Sequence, residues 1–240
     1  MTANPAPLLN PIFVALDTTD PDYARELAER VRGHVGGLKL GLEFFNACGP
    51  EGVRSFLEMG MPIFLDLKYH DIPNTVAGAC RAAAGLGVSI LNVHAQGGAA
   101  MMRAALDATK SVSPSTRVIA VTMLTSLGDD DLPSVGLTPP LADQVLRLAS
   151  LARQYGLDGV VCSAHEIARL RKEMGPDFLL VVPGIRPSGA APGDQRRVMG
   201  PAQARDAGAS ILVIGRPITG ATDPALAARD IAQSLGISAA

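Results

Sequence analysis

Short apolar segments alternate along the chain with stretches whose apolar residues recur at helical spacing. Eight such apolar segments are present, at residues 12–16, 37–41, 61–65, 89–94, 117–122, 159–162, 178–182 and 210–214. Nearly continuous apolar runs separated by helices are typical of strands that are buried on both faces of a parallel sheet. We therefore predict that each segment is a β-strand.

The segments between the strands carry the signals of amphipathic helices. After the first strand, Asp20 is a favourable N-cap and Pro21 suits the first helical position. The apolar residues that follow form one stripe, at Ala24, Leu27, Ala28 and Val31, and the same spacing recurs at Leu141, Val145, Leu148 and Ala152. A second helix is predicted over residues 44–59, and residues 163–166 have the pattern of a capping box. Because Pro73 cannot continue the third strand, residues 71–75 are predicted to form a loop or a helix start.

This alternation predicts an α/β fold, namely a TIM (β/α)8 barrel. Eight parallel strands in a chain of 240 residues fit a closed barrel better than an open sheet. No linker divides the chain, so we predict a single catalytic barrel domain over residues 12–240, preceded by a flexible N-terminal arm over residues 1–11. The longest irregular segments, 125–140 and 183–197, directly follow strands and therefore belong to the face where active sites of such barrels are built.

The overall charge and the cysteines exclude several classes of function. There are 21 lysines and arginines against 23 acidic residues, so the chain lacks the basic surface expected for binding nucleic acid or an anionic membrane. Its three cysteines are distant from one another, which argues against a disulfide framework. These cysteines fit a reducing cytoplasm best, so a cytoplasmic protein is expected. The first 11 residues lack the basic and long apolar regions of a signal peptide, and we predict no transmembrane segment.

Four charged residues lie in or directly after the first three strands, at Asp17, Lys39, Asp66 and Lys68. Each alone would suit a solvated ion pair, but the strands of a barrel bring all four to one mouth. Side chains two apart on a strand share a face, so Asp66 and Lys68 should project together while Leu67 points the other way. A lysine flanked by carboxylates keeps its proton, which favours a proton donor over a Schiff-base nucleophile.

A second group of residues, after the seventh and eighth strands, has the character of a phosphate site. Gly184 precedes Arg186 by two residues, and Gly215 is followed directly by Arg216. Glycine lets backbone N–H groups approach a phosphate, and arginine adds charge-assisted hydrogen bonds. The segment 188–195 is rich in small residues and could close over a bound phosphate. The expected ligand is a phosphorylated small molecule.

The histidines suggest neither a metal site nor a catalytic base. His94 ends the fourth strand, where a lone histidine is more often part of the hydrogen-bonded structure. His70 has no other metal-ligating residues at a suitable spacing. We therefore predict no metal.

Together these motifs resemble the orotidine 5'-phosphate decarboxylase family over nearly the whole chain. The central motif is Asp66-Leu67-Lys68-Tyr69-His70-Asp71-Ile72-Pro73-Asn74-Thr75. The others are Val14-Ala15-Leu16-Asp17, Leu38-Lys39, Asn92-Val93-His94-Ala95, Val121-Thr122-Met123-Leu124-Thr125-Ser126, Pro183-Gly184-Ile185-Arg186, Gly193-Asp194-Gln195-Arg196-Arg197 and Ile214-Gly215-Arg216-Pro217-Ile218. The resemblance implies decarboxylation of orotidine 5'-monophosphate to uridine 5'-monophosphate without a cofactor.

The resemblance also implies specific roles for individual residues. Lys68 would donate the proton, Asp66 would lie near the substrate carboxylate, and Lys39 and Asp71 would complete the charged network. The protein would be a homodimer with shared active sites, in which Asp71, Ile72 and Thr75 reach into the partner's site. The substrate-binding residues would be Asp17 and Lys39 at the ribose, Thr125 at the pyrimidine, and Arg186, Gln195, Gly215 and Arg216 at the phosphate.

Two alternatives remain open from the sequence. One is a magnesium-dependent decarboxylase or aldolase acting on a sugar phosphate, which uses the same barrel and a similar Asp-x-Lys-x-x-Asp motif. Lys39 argues against it, because that chemistry requires an acidic metal ligand on the second strand. The other is a non-catalytic barrel that binds nucleotide phosphates, for which the charged network would serve no purpose.

Overall fold

The computed structural model describes residues 10–187 and 199–237. These residues form a closed parallel barrel in which each strand pairs with the next along the chain and the last pairs with the first. The strands are β1 (Ile12–Leu16), β2 (Gly37–Gly41), β3 (Ile63–Tyr69), β4 (Ile90–His94), β5 (Arg117–Val121), β6 (Gly159–Val161), β7 (Leu179–Val182) and β8 (Ile211–Ile214). The TIM-barrel prediction is confirmed.

Helices follow the strands around the outside of the barrel. They are α1 (Pro21–Val31), α2 (Leu42–Leu57), α3 (Pro73–Ala84), α4 (Gly98–Val112), α5 (Leu141–Gln154), α6 (Ile167–Met174), α7 (Pro201–Asp206), α8 (Arg216–Thr219) and α9 (Pro224–Ser234). The segment after β5 also contains a 3-10 helix over Asp129–Val135, so it is less irregular than its sequence suggests. No helix in the described part of the chain is long and apolar enough to cross a membrane.

The first helix illustrates how local sequence sets these elements. The Asp20 carboxylate accepts hydrogen bonds from the backbone N–H groups of Asp22 and Tyr23, and Pro21 occupies the first turn. The predicted stripe is buried in full: Ala24, Leu27, Ala28 and Val31. The second helix begins two residues earlier than predicted and is kinked, because Gly49 has a φ of 61° and is followed by a proline.

Alternate strand residues line the inside of the barrel. A separate inner core contains Phe13, Ala15, Phe64, Ile90, Ile119, Val181, Ile211 and Val213, whereas the outward residues pack beneath the helices. Lys39 is in register with Ala15 and Phe64, which places it on the inner face. Asp66 follows Phe64 by two residues, and Asn92 follows Ile90 by two. The inner face is therefore apolar at the bottom and becomes polar towards the carboxyl ends of the strands.

Some predictions fall outside the described residues. These are Gln195, the segment 188–195 that was expected to close over a phosphate, and most of the N-terminal arm. The division into an arm over residues 1–11 and a barrel over residues 12–240 stays a prediction.

Candidate active site

The four charged side chains of the first three strands meet at the carboxyl-terminal mouth of the barrel. The Lys39 ammonium lies 2.6 Å from Asp17 Oδ1 and 3.9 Å from Asp66 Oδ2. The Lys68 ammonium lies 2.7 Å from Asp66 Oδ1. The convergence predicted from the sequence is thus confirmed, and positive and negative charges alternate in the order Asp17, Lys39, Asp66, Lys68.

Burial differs along this charged network. The exposed fraction of the side chain is 9% for Lys39 and 13% for Asp66, compared with 30% for Lys68 and 52% for Asp17. An ion pair that is largely withdrawn from water is screened less than one at the surface. The Asp66 carboxylate therefore holds the two ammonium groups in a fixed arrangement, and Lys68 is the one that faces the open mouth.

The glycine at the end of β2 provides the space for this network. A Cβ atom at Gly41 would lie 2.8 Å from the Lys39 ammonium and 3.1 Å from Asp17 Oδ1. Any side chain there would push the ammonium away from its carboxylate. Apart from its position at a strand end, nothing in the sequence indicates a functional role for Gly41.

The third strand does not continue regularly through the motif. Its register against β4 shifts between Leu65 and Tyr69, and Lys68 has a φ of 52°, in the left-handed region that residues other than glycine rarely adopt. Leu67 is buried in the outer core, so it points away from the barrel interior as predicted. Irregular backbone of this kind is concentrated at functional sites.

Asn92 on β4 is part of the site although sequence reasoning did not assign it a role. Its side chain is buried and bonded both to the Asp66 carboxylate and to the backbone of Lys68. The available signal was a polar residue inside an apolar strand, the same signal that identified Lys39.

Two histidines stack beside the charged network. The rings of His70 and His94 have centroids 5.3 Å apart and an interplanar angle of 30°. Burial, with further contributions from His70 and Lys68, lowers the pKa of His94 to about 4, although Asp66 acts in the opposite direction. His94 is therefore neutral near pH 7.

The neutral His94 should make the folded protein less stable in acid. Its pKa falls from 6.5 to about 4 on folding, so between these values the unfolded chain binds more protons and stability drops as the pH falls. After allowance for solvent screening of this half-buried ring, we expect a loss on the order of 1 kcal/mol. The measurement is the Tm between pH 7 and pH 4 for the wild type and for His94→Gln, which should depend less on pH.

The exposed His165 provides a matched control for this prediction. His165→Gln removes a histidine from the surface and should keep the pH dependence of the wild type. If the Tm of His94→Gln depended on pH as strongly as the Tm of the wild type, the lowered pKa of His94 could not be the cause of the loss of stability in acid.

The motif residues from Asp71 to Thr75 lie at the surface of the chain. Asp71, Ile72 and Thr75 are all exposed, and Ile72 is exposed to 68% although it is a large apolar residue. Helix α3 begins at Pro73, so Thr75 lies in its first turn and Asp71 in the preceding loop, as predicted. The Asp71 carboxylate accepts a hydrogen bond from the Ile72 N–H, and within the described residues it forms no ion pair.

The arginines after β7 and β8 lie close enough to affect each other. Burial and the neighbouring Arg216 guanidinium both lower the pKa of Arg186, which indicates two cations facing one region. Gly184 has a φ of 75°, which makes the left-handed turn before Arg186 possible. Gly215 directly precedes α8, and its Cβ position would lie 3.6 Å from the Ala15 side chain on β1. This pair of arginines is suited to an anion.

Thr125 lies in the loop that follows β5 and is half-buried. The predicted site residues within the described residues thus lie in the strands, in the loops that follow them, or in the first turn of the next helix, as Thr75 and Arg216 do. All eight strands present their carboxyl ends at the same mouth because they are parallel.

Comparisons with known proteins agree with this architecture. The family model described as "Orotidine 5'-phosphate decarboxylase / HUMPS family" matches residues 10–231. The orotidine 5'-phosphate decarboxylase of Paramagnetospirillum magneticum is 52% identical over 96% of this chain and 100% of its own, and that of Rhodospirillum rubrum is 56% identical over 93% of both chains. The crystal structure of the Lactobacillus acidophilus orotidine 5'-phosphate decarboxylase has a TM-score of 0.84 and 38% identity, covering 94% of this chain and 99% of that one.

The family model covers almost the entire barrel, and the relatives match over nearly their full length. The same span contains the charged network at the barrel mouth and the arginines after β7 and β8. The chain therefore belongs to the orotidine 5'-phosphate decarboxylase / HUMPS family.

Proposed function

We propose that the protein decarboxylates orotidine 5'-monophosphate to uridine 5'-monophosphate, in the cytoplasm and as a step of de novo pyrimidine biosynthesis. The observation that carries this proposal is the Lys68 ammonium, held 2.7 Å from the Asp66 carboxylate at the barrel mouth. The names of the relatives support the same reaction.

The proposed chemistry explains why the site is built from charges. Loss of carbon dioxide from C6 of the pyrimidine leaves an electron pair in the plane of the ring, where the π system does not delocalise it. Stabilisation must then come from a positive group that is already in place before the reaction. The Lys68 ammonium supplies this charge and then transfers a proton to C6, which completes uridine 5'-monophosphate.

Asp66 has two roles in this mechanism. It fixes the Lys68 ammonium, and it places a negative charge beside the departing carboxylate of the substrate. The repulsion raises the energy of the bound substrate and is relieved as carbon dioxide leaves. Lys39, 3.9 Å from Asp66 Oδ2, helps to orient the Asp66 carboxylate.

The remaining predicted residues position the nucleotide. Asp17 and Lys39 bind the ribose hydroxyls, and Thr125 contacts the pyrimidine. The phosphate binds between Arg186 and Arg216, with Gly215 and Gln195 contributing. A phosphate dianion relieves the repulsion between the two guanidinium groups, which is the physical reason for assigning it there.

The protein is further proposed to act as a homodimer with shared active sites. Asp71, Ile72 and Thr75 are exposed on their own protomer, and an apolar side chain such as Ile72 is stabilised when a second subunit covers it. In the dimer these residues enter the partner's site, where Asp71 adds a second carboxylate near Lys68.

The function is tested by incubating the protein with orotidine 5'-monophosphate and following the loss of substrate absorbance. Turnover to uridine 5'-monophosphate is expected, and it should persist in the presence of EDTA. Activity that a chelator abolishes would favour the magnesium-dependent sugar-phosphate enzyme, which Lys39 disfavours because an ammonium occupies the place of an acidic ligand. Binding without turnover would indicate the non-catalytic barrel.

Arg216→Ala should mainly weaken substrate binding. A hydrogen bond to a charged group contributes about 1.5–3 kcal/mol, so the KM for orotidine 5'-monophosphate is expected to rise roughly 10- to 100-fold while kcat changes less. Steady-state kinetics give both values.

Arg229→Ala provides the control for this change, because Arg229 is an exposed arginine on α9 paired with Asp230. Its KM should equal that of the wild type. An unchanged KM in Arg216→Ala would count against the phosphate role of Arg216.

A further inference from the structure

The Asn92 side chain bridges two residues of the catalytic motif, Asp66 and Lys68. Its side chain is buried completely inside the barrel, at the inner face of β4. Asn92 Nδ2 donates a hydrogen bond to Asp66 Oδ1 at 2.7 Å, and Asn92 Oδ1 accepts one from the Lys68 N–H at 2.8 Å. We propose that Asn92 is a positioning residue for the decarboxylation, because it holds Asp66 and Lys68 in their reactive arrangement without contacting the substrate.

The register of the sheet explains why the Lys68 backbone needs this support. Leu65 pairs with Leu91, and Tyr69 pairs with Val93. Three residues of β3 therefore stand opposite Asn92 alone, and the regular hydrogen bonds between the strands are interrupted there. The Asn92 side chain replaces the missing backbone acceptor for the Lys68 N–H.

The same bond supports an unfavourable backbone conformation. Lys68 has a φ of 52°, and a residue other than glycine in this region persists only when its surroundings hold it there. This conformation lets the Lys68 ammonium turn back to Asp66, only two residues away. Loss of the acceptor at Asn92 should let the backbone relax and move the ammonium.

The second bond fixes the orientation of the Asp66 carboxylate. Because a backbone N–H can only donate, the Asn92 atom facing Lys68 must be Oδ1, and the donor Nδ2 consequently faces Asp66. Asp66 Oδ1 then accepts from both Asn92 Nδ2 and the Lys68 ammonium, which leaves Oδ2 directed towards Lys39. Asn92 therefore determines which oxygen of Asp66 bonds the Lys68 ammonium and which one faces the Lys39 ammonium.

This inference rests on the proposed function, and two variants separate the two bonds of Asn92. Asn92→Ala removes both. Asn92→Asp keeps an acceptor for the Lys68 N–H but replaces the donor to Asp66 with a second negative charge. Displacement of a catalytic group by about 1 Å costs on the order of 100-fold in rate, so kcat is expected to fall about 100-fold or more in both variants. The Kd for uridine 5'-monophosphate should change less than about 3-fold, because the Asn92 side chain is completely buried and bonds Asp66 and Lys68 instead of facing the open mouth.

Hydrogen exchange at the Lys68 amide gives a readout that does not depend on activity. Exchange should be slow in the wild type and in Asn92→Asp, where the acceptor is present, and faster in Asn92→Ala. Thr116→Val is the matched control, since Thr116 is also buried and bonds the Val88 carbonyl at the opposite end of the barrel. It should lower the Tm and leave kcat unchanged.

Three results would overturn the proposal. The first is an unchanged kcat in either folded variant, and the second is a loss of nucleotide affinity as large as the loss of kcat. The third is a hydrogen-exchange rate of the Lys68 amide in Asn92→Ala that equals the wild-type rate. If Asn92→Ala does not fold, the kcat of the nearly isosteric Asn92→Asp still tests the positioning role of Asn92. Failure of the wild type to decarboxylate orotidine 5'-monophosphate would instead reject the proposed function, while the exchange data would still test the bridge.

Discussion

Lys68→Ala is expected to lower kcat by at least about 10,000-fold. The variant loses both the ammonium that stabilises the carbanion and the proton donor, and these effects are typically worth 10²–10³-fold and 10²–10⁴-fold. The Asp66 carboxylate, 2.7 Å from this ammonium, remains bonded to Asn92, so the fold of the site should persist. The measurement is the single-turnover rate on orotidine 5'-monophosphate, with the Kd of uridine 5'-monophosphate determined by calorimetry.

The choice of the product for the binding measurement matters. Without Lys68, the negative Asp66 faces the substrate carboxylate unscreened, so substrate affinity should fall for electrostatic reasons. Uridine 5'-monophosphate lacks that carboxylate, and its affinity should stay within about 10-fold of the wild type, a difference of about 1.4 kcal/mol. Lys172→Ala, at an exposed lysine on α6, should behave as the wild type. Retained decarboxylation in Lys68→Ala would refute the assignment.

A mixed dimer should recover activity from two inactive proteins. Asp71→Ala is expected to lose most turnover, because each site would lack the carboxylate supplied by its partner. In a heterodimer of Asp71→Ala with Lys68→Ala, one site contains the intact Lys68 of the first chain and the intact Asp71 of the second. The other site lacks both residues. Heterodimers purified with two different affinity tags should therefore show about half the activity of the wild-type dimer.

Two controls make this result specific. Each mutant homodimer measured alone sets the background, and a heterodimer of Lys68→Ala with Arg216→Ala shows whether recovery depends on the position of the second change. Arg216 follows β8 of the same barrel as Lys68, so this heterodimer has no intact site and, at a substrate concentration below the wild-type KM, should show only the low activity of Arg216→Ala itself. If the Asp71→Ala heterodimer stayed at background activity, the shared site would be rejected.

Much of the fold could be predicted because its signals are local. The cap at Asp20, the proline at residue 21 and the stripe ending at Val31 lie within one short segment, and the structure contains that helix with those residues buried. Eight apolar runs separated by helical stripes leave few arrangements other than a parallel barrel. Any barrel of parallel strands brings Asp17, Lys39 and Asp66 to the same mouth, whatever the details of side-chain packing.

The site could be predicted only in part, because some of its contacts join distant parts of the chain. The bonds of Asn92 to Asp66 and Lys68 cross from β4 to β3 at a point where the register shifts. Period-two alternation along one strand cannot reveal such a shift. The left-handed conformation of Lys68 could not be predicted from the sequence either, because a lysine side chain does not favour it.

The sequence by itself determined the order of the elements, the family and the charged residues that converge at the barrel mouth. These depend on spacing within single segments and on motifs of neighbouring residues. Only the tertiary structure decided that Asn92 bonds both Asp66 and Lys68, that His94 is neutral in a stacked pair with His70, and that Arg186 and Arg216 act on each other. Burial, register and the distances between charges arise when the strands close into a barrel, and no segment carries them alone.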